Sequence, residues 1–196
     1  DKSDSDEVFN VASSFDWPFD NLKIIHHQEN LGLQQHILMC GDLVKDYDAL
    51  IMLEDDLVVS QEFLRYAKEA VEFYREDPRI AGISLYNNDI TEFAEQRPFY
   101  PLHDGYDNYF ASVPSSWGQI WTQGQWLGFR AWYDNKSWEN IDDIDLKVPQ
   151  NVLLWKKSWK KFFYLYIACA NKFIVYPRFA LSTNMGDAGV HPRTKY

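Results

Sequence analysis

Three consecutive carboxylates, Glu54, Asp55 and Asp56, begin directly after the apolar run at 49–53. A continuous apolar run of this length predicts a strand covered on both faces. In open α/β sheets, ligands bind beyond the carboxyl ends of the strands, where this triplet would stand. Adjacent carboxylates repel one another, and a divalent cation relieves that repulsion. Because Mg²⁺ and Mn²⁺ prefer hard oxygen ligands, the triplet indicates a metal that holds a diphosphate. The alternative is a solvated strand end that starts the next helix.

The elements that must position this triplet alternate between helix and strand. Helical spacing of apolar residues marks three segments, and short apolar runs mark three strands between them. Such alternation predicts an α/β fold with a mostly parallel sheet flanked by helices. The predicted helices are 4–14, 31–44 and the segment from a cap at Ser60 to Asp77; the predicted strands are 22–27, 49–53 and 80–85.

The second half of the chain has a different character. Residues 86–121 are rich in aromatic, Asn, Asp and Pro residues and are predicted to form loops. Further along, helices are predicted at 123–133 and 152–170, a strand at 173–176, and irregular structure from 182 onward. The chain has no internal repeat and no linker-like segment, so residues 1–196 are predicted to form a single domain.

The charge is unevenly distributed along the chain. There are 29 acidic and 19 basic residues, which gives a formal charge of −10. In contrast, residues 147–178 hold seven Lys or Arg and no Asp or Glu. Such a stretch suggests a phosphate-bearing ligand or an anionic membrane surface; the alternative is a solvated helix face. The acidic total argues against nucleic acid as a partner.

Two features bear on location. Cys40 and Cys169 lie far apart in apolar surroundings, which favours reduced core thiols over a disulfide framework. The sequence has no signal peptide, and its longest apolar run is too short to cross a membrane. These features favour the cytoplasm, with peripheral membrane contact through the basic aromatic segment at 153–163 as an option.

Several short motifs occur in the order found in one enzyme family. They are Leu53-Glu-Asp-Asp-Leu57, Asp77-Pro78, Ser84-Leu-Tyr-Asn87, Ser115-Ser-Trp-Gly118, Trp159 with Pro177, and the tail at 184–191. Over residues 22–191 the chain resembles GT-A glycosyltransferases, in particular N-acetylglucosaminyltransferase I and related bacterial polysaccharide glycosyltransferases. The resemblance implies a Rossmann-like GT-A sheet. The family's first strand, which helps to hold the uridine base, has no counterpart here, so an N-terminally truncated domain is expected.

The resemblance also implies a site. Asp56 would bind the Mn²⁺ (or Mg²⁺) that bridges to the diphosphate of a nucleotide-sugar donor. The metal would act as a Lewis acid on the leaving diphosphate. The donor-binding residues would be Glu54, Asp55, Asn87 and His191. Stacking on the sugar faces of a glycan acceptor is assigned to Tyr86, Trp117 and Trp159; the alternative is that these rings close the edge of the sheet.

One family feature is missing. Inverting members need a carboxylate to deprotonate the acceptor, and in the family it follows a tryptophan. Here Lys160 follows Trp159. Substitute bases are therefore sought among Asp142, Asp143 and Asp145, with Asp89 as a further option. The expected function is metal-dependent, inverting transfer of a hexosyl or N-acetylhexosaminyl group, with UDP-sugar as donor and a glycan or lipid-linked glycan as acceptor. The alternatives are a noncatalytic GT-A-like carbohydrate-binding module and, less favoured, a membrane-associated interaction domain.

Overall fold

A computed structural model of the chain describes residues 6–19, 21–89, 97–136, 138, 148–156 and 158–185. Within these residues a five-stranded sheet has helices on both faces, and two further strands form a second, two-stranded sheet. The helices are α1 (Glu7–Ser14), α2 (Gly32–Asp42), α3 (Phe63–Tyr74), α4 (Gln123–Asp134), α5 (Gln150–Leu153) and α6 (Trp159–Cys169), with a 3₁₀ turn at Leu43–Asp46. The strands are β1 (Ala49–Met52), β2 (Leu57–Val59), β3 (Ile80–Ser84), β4 (Asn108–Ala111), β5 (Gln119–Thr122), β6 (Phe173–Pro177) and β7 (Ser182–Asn184).

The main sheet has the order β1-β5-β3-β6-β4 and is mixed. Only β3 and β6 pair in parallel, and the other three pairings are antiparallel. The α/β class is therefore confirmed, but the prediction of a mostly parallel sheet is wrong. The reason is that β4 and β5 arise from the segment predicted to be loop, and each pairs antiparallel to its neighbours. In particular, β5 lies between β1 and β3 and separates them.

Three strands nevertheless end at the same edge of the sheet. Strands β1 and β3 both run antiparallel to β5, and β3 runs parallel to β6, so β1, β3 and β6 point in one direction. We call the edge where they end the carboxyl edge. Strand β5 begins there, with Gln119 opposite Met52 on one side and Ser84 on the other. This edge is where ligands bind in open α/β sheets.

The core is divided between the two faces of the sheet. Trp121 and Ile174 of the strands pack with α2, α4 and α6 on one face, and Ile120 and Val175 pack with α3 on the other. Alternation along β5 and β6 explains the division, since successive side chains of a strand point to opposite faces. Strand β3 is buried at every residue because it lies in the middle of the sheet.

Several predicted elements differ from the observed ones. Residues 22–27 form no strand, and five of these six residues are exposed. The predicted helix at 152–170 is divided, since α5 ends at Leu153 and α6 begins at Trp159. The tail contains β7, which pairs with β2. The structure confirms the predicted helices at 4–14, 31–44 and 123–133 and the helix predicted to end before Asp77. It also confirms the strands predicted at 49–53, 80–85 and 173–176.

None of the helices in the described part of the chain is long and apolar enough to cross a bilayer. The longest have 12 residues, which is about 18 Å of helix against a hydrocarbon core of about 30 Å.

Candidate functional site

The acidic triplet forms the connection between the two sheets. It begins two residues after β1 ends, and β2 follows it directly. Asn184 of β7 donates from Nδ2 to Asp56 Oδ2 at 2.6 Å, and the backbone N–H of Met185 donates to the Asp56 carbonyl at 3.0 Å. The pairing of β2 with β7 therefore fixes the carboxylate of Asp56 beside the carboxyl edge.

The three acids differ in their surroundings. Asp55 and Asp56 are exposed, whereas Glu54 is half-buried. Burial raises the pKa of Glu54, the charges of Asp56 and Asp55 raise it further, and the charge of Lys160 on α6 lowers it. The net direction is upward, so the nearby negative charge and the burial outweigh Lys160. The charges of Asp56 and Asp55 therefore disfavour the ionised form of Glu54, and a cation at the strand end would offset that repulsion.

The residues present fit a metal only when a ligand supplies further oxygens. Among the described residues, no three His, Cys, Asp or Glu side chains are grouped so that they could hold a metal ion. From the described residues, a divalent ion at Asp56 would therefore take at most two such ligands. That arrangement is usual for Mg²⁺-type ions, which bind through one or two carboxylates together with substrate phosphates. The exposed carboxylate of Asp56 suits this mode.

Two aromatic rings meet at the same edge. Tyr86 follows β3 and Trp117 precedes β5, and their ring centroids lie 4.7 Å apart in an edge-to-face arrangement. Serine side chains fix both turns, because Ser84 Oγ accepts from the Tyr86 N–H at 3.1 Å and Ser115 Oγ accepts from the Trp117 N–H at 3.2 Å. Both aromatic residues are half-buried, so they close part of the edge and also present surface to a ligand.

The Ser-Ser-Trp-Gly motif joins three elements at this edge. Gly118 has φ +91°, and a Cβ there would lie 3.0 Å from the Leu85 Cβ and 3.1 Å from Ser182 Oγ. Its carbonyl accepts from the Leu85 N–H at 3.0 Å, and Ser182 Oγ donates to the Trp117 carbonyl at 2.6 Å. The glycine is required because the end of β3 and the start of β7 approach its backbone closely.

Asn87 lies at the edge, but its amide is engaged by the protein. Its Nδ2 donates to the Arg178 carbonyl at 2.8 Å, and its Oδ1 accepts from the Tyr109 hydroxyl at 2.8 Å. It therefore connects the end of β3 to β6 and β4. The prediction that Asn87 binds the donor stays a prediction, and its observed contacts are structural.

Trp159 does not join the acceptor surface. Its side chain is 3% exposed, and its ring packs edge-to-face on Trp121 with centroids 5.9 Å apart. A ring covered in this way has no face for a sugar, so the assignment of Trp159 to acceptor binding is wrong for this structure. Its burial explains why α6 begins here, since its first residue anchors the helix in the core.

The basic aromatic segment at 153–163 is not one continuous helix. Lys161 Nζ donates to the Leu153 carbonyl at 2.7 Å, and Lys160 Nζ lies 5.8 Å from the centre of the Trp155 ring. These lysines therefore stabilise the bend between α5 and α6. Peripheral membrane contact through this segment stays a prediction, and a single continuous helix does not provide it.

Four predicted site residues lie outside the described residues. They are Asp142, Asp143, Asp145 and His191. Asp89, the further option for a base, is exposed, and its carbonyl accepts from the Phe99 N–H at 2.8 Å.

Sequence reasoning missed Gln119 and Asn184, which also stand at this edge. Gln119 is 1% exposed, and neither of its amide atoms has a hydrogen-bond partner within the described part of the chain. Buried polar groups without partners are costly, and they concentrate at functional sites. Gln119 precedes the run Ile-Trp-Thr, which favours a strand. The loop-like composition of the surrounding residues outweighed that signal. Asn184 begins the tail motif at 184–191, but its contact with Asp56 had no signal in the sequence, because that contact depends on β7.

No protein-family model matches the chain, and a search of curated proteins finds no match. The geometry of the site is therefore the basis for inferring a function.

Proposed function

We propose that the chain is a glycosyltransferase of the GT-A type that transfers a sugar from a nucleotide-diphosphate donor, with a divalent metal, to a glycan acceptor. The observation that carries the proposal is the position of Asp56. It lies beyond the carboxyl end of β1, in a strand-end group of three acids, and β7 holds it there. The Tyr86–Trp117 pair at the same edge supports an acceptor surface beside it.

In this proposal each group has one role. The metal, when bound with the donor, would stabilise the charge that develops on the leaving diphosphate. Asp56 would hold the metal, and Asn184 would keep the Asp56 carboxylate in one orientation. Glu54 and Asp55 would contact the ribose side of the donor. Tyr86 and Trp117 would stack on the acceptor sugar and exclude water from the edge.

Calorimetry with UDP and UDP-sugars, in the presence and absence of Mn²⁺, tests the donor site. Asp56→Asn removes the charge but keeps an acceptor oxygen for Asn184. We expect wild type to bind UDP in a Mn²⁺-dependent manner and Asp56→Asn to bind at least about tenfold more weakly, since the metal loses a charged protein ligand.

The matched control is Glu69→Gln, which removes one exposed carboxylate from α3. It should bind as wild type does. If both variants bind UDP equally more weakly than wild type, the overall charge of the protein governs binding, and a specific site at Asp56 does not. Absence of Mn²⁺-dependent binding in wild type would refute the donor site for this chain.

A noncatalytic GT-A-like carbohydrate-binding module is the second candidate, and one observation favours it. The residue after Trp159 is a lysine, which is half-buried in the first turn of α6 where the resemblance places an acid. An ammonium group does not serve as a base unless it is strongly desolvated. This module would bind a glycan without consuming the donor.

Turnover separates the two candidates. Asp142, Asp143, Asp145 and Asp89 would each be changed to Asn, and donor consumption would be followed with Mn²⁺ and a glycan acceptor. Loss of a general base usually lowers the rate by ~10²–10⁴-fold, so one variant should fall at least about tenfold if a substitute base exists. Glycan binding without donor consumption in wild type would favour the noncatalytic module.

A further inference from the structure

Helix α2 carries two metal-ligating side chains that do not belong to the acidic triplet. His36 and Cys40 are four residues apart, so they lie on the same face of the helix, one turn from each other. His36 Nε2 is 3.6 Å from Cys40 Sγ. Both residues are half-buried, and Cys40 is a free cysteine.

This separation matches that of two ligands on one zinc ion. Zn–S bonds are about 2.3 Å and Zn–N bonds about 2.0–2.1 Å, and a tetrahedral angle between them places the sulfur and nitrogen roughly 3.6 Å apart. The observed distance therefore needs no movement of the helix backbone to accept the ion. The spacing of His36 and Cys40 on one helix face fixes this geometry.

The hydrogen bonding of His36 at Nε2 is weak. Within the described part of the chain, the partner of Nε2 is the Cys40 thiol, which is a weak donor and a weak acceptor. A metal ion would replace this weak contact with bonds to both atoms. His36 Nδ1 is buried without a hydrogen-bond partner among the described residues, but it points away from Cys40 and takes no part in this site. A second imidazole, His27, stands edge-on with its ring centroid 5.6 Å from that of His36.

We infer that His36 Nε2 and Cys40 Sγ form a binding site for a soft or borderline divalent ion such as Zn²⁺. The thiol of Cys40 loses its proton to solvent as the metal–sulfur bond forms, and water completes the coordination. In the described part of the chain no three ligating side chains are grouped, so this is a two-ligand site. It is independent of the proposed transferase function.

Cobalt is the spectroscopic probe, since Co²⁺ occupies such sites and gives a charge-transfer band with thiolate. The full chain would be titrated with Co²⁺ under a reductant that does not bind metal. Cys169 is the matched control, because it is also a free, half-buried cysteine. We expect the band in wild type, Cys169→Ser and Asp56→Asn, its loss in Cys40→Ser, and at least tenfold weaker binding in His36→Gln. A band that persists in Cys40→Ser, or that is absent from Cys169→Ser, would overturn the site.

A second measurement uses wild type and so does not depend on how a variant folds. The alkylation rates of Cys40 and Cys169 would be followed separately by peptide mass spectrometry, with and without Zn²⁺. Zn²⁺ should slow alkylation of Cys40 at least tenfold and leave Cys169 unchanged, because a metal-bound thiolate is withdrawn from reaction. Equal rates at Cys40 with and without Zn²⁺ would contradict the proposal.

Discussion

Asn87 shows how a residue from a motif can have a structural role. Both its amide atoms hold protein partners from β4 and from the end of β6. Asn87→Ala should lower the free energy of unfolding by roughly 1–3 kcal/mol, because it removes the amide donor to the partly buried Arg178 carbonyl and one partner of the Tyr109 hydroxyl. Urea denaturation measures the change.

Asn88→Ala is the control for that prediction. Asn88 is also half-buried, and its backbone rather than its side chain contacts the Tyr109 hydroxyl. It should therefore change stability by less than about 0.5 kcal/mol. Equal effects of the two substitutions would show that the amide bridge at Asn87 is not what stabilises the carboxyl edge.

Asp77 provides a prediction about pH. Its Oδ1 accepts from the Arg79 backbone N–H and Nε, each at 2.9 Å, and its Oδ2 accepts from Nη2 at 2.6 Å. These bonds lower the pKa of Asp77 from 3.8 to about 2. A carboxyl pKa that is lower in the folded state stabilises the fold above pH 3.8, and that stabilisation disappears as the pH falls toward 2.

The difference in unfolding free energy between wild type and Asp77→Asn should therefore be constant at neutral pH and shrink between pH 4 and pH 2. We expect it to be small throughout, since Arg79 is largely exposed and solvent screens the pair. Denaturation at a series of pH values measures it. A difference that stays constant down to pH 2 would mean that the ion pair makes no contribution.

At the level of the elements, one glycine allows two helices to approach each other. A Cβ at Gly41 of α2 would lie 2.1 Å from the ring of Trp126 of α4. Trp126 is fully buried and donates from Nε1 to Asp42 at 2.8 Å, so its ring has no room to move. Gly41→Ala should destabilise the fold by about 1–3 kcal/mol or more through overpacking.

Gly124→Ala is the matched control in another helix. A Cβ at Gly124 would meet nothing within 4 Å. Alanine is a better helix former than glycine by up to about 1 kcal/mol, so this variant should be as stable as wild type or more so. Thermal denaturation of both variants and of wild type measures these changes in stability. If Gly41→Ala is as stable as Gly124→Ala, the close packing of α2 on α4 is not required.

The elements also show what the sequence could predict. Helices with clear apolar spacing, such as α3 with Ala67, Ala70 and Tyr74 buried, were predicted because their periodicity is local. Strands β5 and β7 were missed because four and three residues carry too little periodicity. These short segments become strands because they form hydrogen bonds to strands that are distant in the sequence. Whether neighbouring strands run parallel or antiparallel depends on the same long-range pairing.

The candidate site shows the same difference between local and long-range signals in the sequence. The position of the acidic triplet at a strand end could be predicted, because the apolar run before it is a local signal. The partner that fixes Asp56 could not, because Asn184 lies 128 residues away and reaches it only through β7. Trp159 was misassigned because sequence alone does not separate a buried ring from a stacking one.

At the level of the whole molecule, stability should be unevenly distributed. Helix α1 has no buried residue, and residues 21–26 are exposed throughout, whereas every residue of β3 and β5 is buried. Local opening costs little where few apolar groups are buried. Within the described part of the chain, hydrogen exchange followed by mass spectrometry should therefore show amides of α1 and residues 21–26 exchanging faster than those of β3 and β5, by at least about a thousandfold. Similar protection of α1 and β3 would mean that the N-terminal segment packs on the sheet more firmly than its exposure indicates.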